Sequence, residues 1–152
     1  MALQERLRDD LKVALKGHDA SRVSILRILL AECRNEEKAR MKPLDDAAVI
    51  DVLGREAKRR KESIEAFQSG NRPDLVSQEQ TFLAVIEQYL PEQMSRDEIA
   101  AIVKDAIAAT GAQSPKDRGK VMAHVMPQVK GRASGKDVGE VVGEMLVEEA
   151  GE

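Results

Sequence analysis

Leu3, Leu7, Leu11, Ala14 and Leu15 recur mostly at three- and four-residue steps, so the chain opens on the apolar face of a helix. Lys16 and Gly17 supply its stop, with the cation at the negative end of the helix dipole. Asp19 or Ser21 can cap a second helix, whose apolar face is Val23, Leu26, Leu29, Leu30 and Cys33. Ile25 and Ile28 widen that face and predict burial on several sides. A polar run from Arg34 to Lys42 continues the helix until Pro43 ends it. Asp45 or Asp46 opens the third helix, and Val49, Ile50, Leu53, Ala57, Ile64 and Phe67 keep its period up to Gly70.

The stretch from Gly70 to Asp74 is rich in turn residues. Ser77 and Gln80 then read as a capping box for a fourth helix, lined by Phe82, Leu83, Val85, Ile86, Tyr89 and Leu90 and stopped by Pro91. The segment Pro91 to Ser95 is the expected boundary. Ser95 and Glu98 form a second capping box, and Ile99, Ile102, Val103, Ala106 and Ile107 line a fifth helix that ends at Gly111. Ser114-Pro115 pairs an N-cap with proline at the first helical position. Val121, Met122, Val125 and Met126 line the sixth helix, which Pro127 is expected to cut. After a loop from Gly131 to Gly135, Ser134 caps a seventh helix lined by Val138, Val141, Val142, Met145 and Leu146.

No alternating run and no hairpin turn competes with this pattern. The expected fold is therefore all-α: an N-terminal bundle of about four helices over residues 1–92, then a three-helix part over residues 93–152. Composition agrees, because aromatics are only 2% and Leu, Ala, Ile, Val and Met must fill the core.

The net charge of −3 gives no global attraction to nucleic acid or to an anionic membrane, so any such binding must rest on a local patch. A single cysteine fits a reducing compartment. The first residues carry charge at helical spacing rather than the apolar core of a signal peptide, and no apolar run approaches the roughly 20 residues that span a bilayer. A soluble cytoplasmic protein is expected, bacterial or organellar, with no membrane partner.

The side chains offer no self-sufficient catalytic centre. A nucleophile needs a base, and the base an orienting partner. Cys33 lies on the apolar face of its helix and reads as a buried, inert thiol. His18 follows a turn and His124 stands on the sixth helix, at no metal-type spacing. The carboxylates spread along exposed helix faces, and no Gly-x-x-x-x-Gly-Lys-Ser/Thr loop for nucleotide phosphates is present. No catalytic residue, metal or cofactor is expected.

Binding is better supported. The third helix carries Arg55, Lys58, Arg59, Arg60 and Lys61 among Glu56, Glu62 and Glu65, which allow i,i+4 ion pairs. Lys58, Arg59 and Lys61 form a candidate phosphate-contacting ridge there. The stronger patch runs from Ser114 to Lys136, where Lys116, Arg118, Lys120, Lys130, Arg132 and Lys136 face one acid, Asp117. The candidate phosphate ligands are Lys116, Lys120, Lys130, Arg132 and Lys136, with Gly131 and Gly135 shaping a loop that leads into a helix N-terminus.

The same residues carry a resemblance. Gly119 to Met122, Met126-Pro127, Lys130 to Lys136 and Val138 resemble the C-terminal tail of the B subunit of glutamine-dependent aminoacyl-tRNA amidotransferase. Arg22 to Arg27, Lys58 to Ile64 and Tyr89 to Ser95 resemble the YqeY family, small stand-alone proteins that share that tail. The family pattern usually has an acid where Ser134 stands here. The resemblance implies a two-part helical fold whose tail engages tRNA or aminoacyl-tRNA, without the cradle and amidase that perform the chemistry. Two alternatives stand beside that reading. One is association with carbon–nitrogen ligase activity that uses glutamine as amide donor, as a partner or subunit of an amidotransferase. The other is a helical protein-binding adaptor.

Overall fold

A computed structural model describes the backbone of residues 2–150 and the side chains of residues 2–147. Met1, Gly151 and Glu152, the outer ends of the two expected parts, lie outside the described residues. The described residues form seven α-helices and one 3₁₀ turn, with no strand among them, so the all-α expectation holds. The chain divides into two compact units, Met1–Leu90 and Pro91–Glu152.

The first unit holds α1 (Ala2–Lys16), α2 (Ala20–Arg40), α3 (Asp46–Ser69) and α4 (Pro73–Glu87). Its caps are the expected ones at two starts: the Arg22 amide donates to Asp19 Oδ1 at 3.1 Å, and the Ala48 amide to Asp45 Oδ1 at 2.8 Å. Each replaces a hydrogen bond that the first helical turn lacks. The core gathers Leu7, Leu26, Leu29, Cys33, Leu44, Val49, Leu53 and Ile86, all at or near zero exposure. Full burial of one such Leu or Ile contributes about 2 kcal/mol.

Several sequence expectations need correction. Leu15 is 44% exposed rather than part of the buried stripe. Each i,i+4 step advances a side chain about 40° around a helix, so the series Leu3, Leu7, Leu11 carries Leu15 off the face, and Ala14 takes its place. Ile28 is 43% exposed although Ile25 is buried. It stands roughly 150° round α2 from the centre of the buried face. Ile50, Ile64 and Phe67 are half-buried, and Ala48 and Val52 do the packing instead.

The predicted capping box at Ser77 is absent, because α4 begins one turn earlier at Pro73. Proline suits the first helical position: its ring presets φ, and its missing N–H is one the helix cannot use there. The Val76 amide donates to the Arg72 carbonyl at 3.1 Å, so Ser77 is already interior. The helix also ends at Glu87, and Tyr89 and Leu90 pack from the segment beyond it.

The second unit holds α5 (Arg96–Thr110), the 3₁₀ turn Pro115–Asp117, α6 (Arg118–Val129) and α7 (Gly135–Ala150). Ser95 caps α5 as expected: its hydroxyl accepts from the Glu98 amide at 3.2 Å and donates to Glu98 Oε1 at 3.2 Å. Gly111 ends α5 at φ +69°, the left-handed conformation that glycine adopts without strain. Ser114-Pro115 starts the 3₁₀ turn rather than an α-helix, and Ser114 makes no side-chain cap. Pro127 does not cut α6 but sits in its last turn. Val129, fully buried, holds that turn against the core, and the Gln128 side-chain amide donates to the His124 carbonyl at 3.1 Å. Val103, Val121, Val125, Val138, Val142 and Leu146 close a core separate from that of the first unit.

Candidate nucleic-acid interface

The α6–α7 connection is a short turn with an internal frame. Val129 accepts from the Arg132 amide at 2.9 Å and from the Ala133 amide at 3.1 Å. Gly131 takes φ +78°, which a side chain would strain. Its carbonyl accepts from Gln93 Nε2 at 3.1 Å, and the Arg132 carbonyl accepts from the Met94 amide at 2.9 Å. Ser134 Oγ accepts from the Asp137 amide at 3.1 Å, so the serine in the family's usual acid position caps α7. Gly135 is different. A methyl group there would meet nothing closer than Met126 Cε at 4.0 Å, so close packing does not require glycine.

Arg132, whose side chain stays 42% exposed, makes two contacts within the unit. Its Nε donates to the Glu92 carbonyl at 3.1 Å, and its terminal nitrogen lies 3.6 Å from Glu98 Oε2. It clamps the turn to the segment that precedes α5. Lys130 and Lys136 are exposed at the two ends of the turn.

Lys116 and Lys120 are exposed at the other end of α6. The ten residues from Lys120 to Lys130 span roughly 15 Å of helix. One phosphate cannot touch both ends, so the patch suits an extended backbone rather than a single anion. Asp117, the one acid in this stretch, is half-buried, and its Oδ2 accepts from the Gln113 amide at 2.9 Å. That bond, helped by the charge of Lys120, holds its carboxyl below the usual range.

The sequence pattern presents Arg118 only as a charge. Its Nη2 donates to the Gly139 carbonyl at 3.2 Å, and a methyl group on Gly139 would lie 2.9 Å from that nitrogen. The one local trace of this contact is a glycine inside a helix, a position that costs stability relative to alanine.

Lys58, Arg59 and Lys61 lie on α3, in the first unit, all exposed. Arg59 Nη1 is 3.1 Å from Glu56 Oε1. Glu56 is itself 2% exposed and also sits 3.3 Å from Arg60, which reaches Glu79 at 3.3 Å and stacks 4.4 Å over the Phe82 ring. The expected i,i+4 pairing is therefore present, but at Arg60 it is an internal tie between α3 and α4. Cys33 is fully buried, and burial pushes its thiol up to about 11, assisted by the charge of Glu37. A thiol held protonated in this way is a poor nucleophile at neutral pH.

A second polar cluster went unread in the sequence. The Tyr89 hydroxyl donates to Asp10 Oδ2 and accepts from Arg22 at 3.2 Å, while the Arg6 guanidinium lies 4.7 Å over its ring. Two of the quoted family segments, Arg22 to Arg27 and Tyr89 to Ser95, thus meet in one bond.

A family model described as Yqey-like protein matches residues 4–146. The chain belongs to the YqeY family. Its similarity extends to fungal proteins named altered inheritance of mitochondria protein 41, mitochondrial. The protein of Eremothecium gossypii is 37% identical over 62% of this chain and 54% of its own length. That of Pyrenophora tritici-repentis is 32% identical over 82% of this chain and 69% of its own length. The Lachancea thermotolerans protein is 35% identical over 72% and 60%. This YqeY chain thus spans between about half and about two thirds of these curated relatives. The relatives are named mitochondrial, and the bacterial setting expected from the sequence gains no support from them. No helix among the described residues is long and apolar enough to cross a membrane.

Proposed function

We propose that this YqeY protein is an accessory module that engages tRNA or aminoacyl-tRNA through backbone phosphates, without performing chemistry on it alone. The observation that carries this reading is the outward cationic ridge of the second unit. Lys116 and Lys120 are exposed at the start of α6, and Lys130 and Lys136 at the two ends of the turn that follows it, while the carboxylate of the one acid among them accepts from the Gln113 amide. The second unit otherwise carries an excess of acid, so composition does not force the ridge. Gly131 and Arg132 shape and clamp the turn, and Lys58, Arg59 and Lys61 are weaker auxiliary contacts. The compartment is part of the proposal: a reducing space, either an organelle matrix or its bacterial counterpart, the cytoplasm.

Binding of bulk tRNA at low and moderate salt tests it, beside a variant with Lys116, Lys120, Lys130 and Lys136 all changed to Gln. Arg132 is left in place because its loss would disturb the turn. Salt-sensitive binding that the variant loses is the expected result, since each neutralised phosphate releases counterions. Equal binding by both proteins, or a flat salt response, overturns the proposal. The glutamine-dependent alternative has its own readout: amide formation on mischarged tRNA by an amidotransferase, with and without the protein. An increase on addition would favour it.

A further inference from the structure

The exposed side of α2 carries a second line of cations that the tail patch does not include. Arg27, Arg34 and Lys38 stand seven and four residues apart and are all exposed. At 100° per residue they fall within an arc of roughly 40°, along roughly 16 Å of helix. Among the described residues none of the three has a hydrogen-bond or ion-pair partner. The acids of α2 are directed elsewhere: Glu36 pairs with Arg40 and Arg55 at 2.9 Å, and Glu37 accepts from Gln4 at 2.9 Å. Glu32 lies on the other side of the helix from the line.

Beside the N-terminal end of this line runs an open groove of about 460 Å³ between α2 and α4. It is lined by Ser21, Ser24, Ser77, Gln78 and Thr81 together with Ile25, Ile28 and Phe82. Ser24 and Ile28 flank Arg27 along the helix. No carboxylate lines the groove. An acidic protein segment would draw mainly on the cations. Nucleic acid also uses hydroxyl and amide donors, which take a large share of the hydrogen bonds to phosphate and sugar. Two of the three cations are arginines, whose planar fork matches phosphate oxygens.

We propose that Arg27, Arg34 and Lys38 of α2, with the hydroxyl-lined groove beside them, form an RNA-backbone contact surface in the first unit. It rests on the RNA-binding reading above but uses separate residues, so the two can fail separately.

The test is the salt dependence of bulk tRNA binding by the full chain. It compares wild type, the α2 triple variant Arg27→Gln, Arg34→Gln, Lys38→Gln, the tail variant above, and a control with Lys12→Gln and Lys16→Gln. The three α2 side chains are exposed and without partners, so circular dichroism and the melting temperature should match wild type. Loss of three phosphate contacts lowers the slope of log affinity against log salt by about 2 to 3. The expected result is that drop in the α2 variant and a smaller one in the control. An unchanged slope in the α2 variant, with the tail variant impaired, overturns this proposal and leaves the tail reading standing. The reverse overturns the tail reading alone. No binding by wild type at low salt overturns both. A drop in the control as large as that in the α2 variant reduces the line to general charge and overturns it. Binding to a poly-glutamate peptide that is lost in the α2 variant, with tRNA binding unchanged, overturns it in favour of an acidic protein partner.

Discussion

Tyr89 is the single tyrosine of the chain, and its environment sets a measurable pH dependence. Burial, together with the bond to Asp10 and that carboxylate's charge, pushes its hydroxyl up to about 12 from the ordinary 10. The neutral phenol is the form that the folded state favours. Between these two values the unfolded chain releases the proton while the folded chain keeps it, so stability falls as pH rises through the window. Below 10 this contribution is fully present. Urea midpoints should therefore drop between pH 10 and 12, and the drop should be smaller in Tyr89→Phe. At neutral pH the same variant should lose about 1 kcal/mol, since it forfeits the bonds to Asp10 and Arg22. An identical alkaline drop in the two proteins would show that Tyr89 does not titrate in this way. None of this was legible beforehand: Asp10, Arg22 and Tyr89 are brought together by packing across more than 60 residues of chain, and no local spacing encodes that.

At the scale of elements, the sequence was readable wherever the signal was local and single. Asp19, Asp45, Ser95 and Ser134 accept from the amides three residues on because cap chemistry depends on the nearest turn alone. It failed where two local signals competed. At the start of α4, Pro73 and Ser77 both announce a helix, and the earlier one prevails because nothing prevents the helix from passing through a serine. At the end of α6, proline reads as a stop, but burial of Val129 outweighs one lost backbone bond in a final turn. The candidate interface divides the same way. Exposure of Lys116, Lys120, Lys130 and Lys136 follows from their type, whereas the contacts of Arg132 depend on Glu92 and Glu98 arriving from another part of the chain. The α6–α7 turn gives a direct check. Ser134→Ala should cost about 1 kcal/mol by exposing the Asp137 amide. Gly131→Ala should cost a similar amount, about 1 kcal/mol, because φ +78° strains any L side chain. Gly135→Ala should be neutral or stabilising, since a methyl group has room there. Thermal melts rank the three, and a cost at Gly135 equal to that at Gly131 would contradict the geometry of the turn.

For the whole molecule, the decisive feature is that the buried residues fall into two separate cores, one from Leu7 to Tyr89 and the other from Ile99 to Leu146. The hydrophobic gain of folding is collected locally within each, and each has its own capped helices. Each unit is therefore expected to show its own unfolding transition. The probes are conveniently divided: the only tyrosine belongs to the first unit, tryptophan is absent, and far-ultraviolet dichroism reports helices of both. Leu146 is fully buried in the second core, so Leu146→Ala should cost about 2–4 kcal/mol there through lost burial and a cavity. The tyrosine-detected midpoint in urea should stay where it is in wild type, while the dichroism curve gains an earlier step. If both probes shift together, the two cores form one cooperative unit despite their separation. In that case a change in the tail would alter the stability of the α2 surface, and binding effects of tail and α2 variants would have to be read as coupled. If only the dichroism shifts, the cationic surfaces of α2 and of the α6–α7 turn rest on independently stable supports, and losses measured in the two sets of variants can be added.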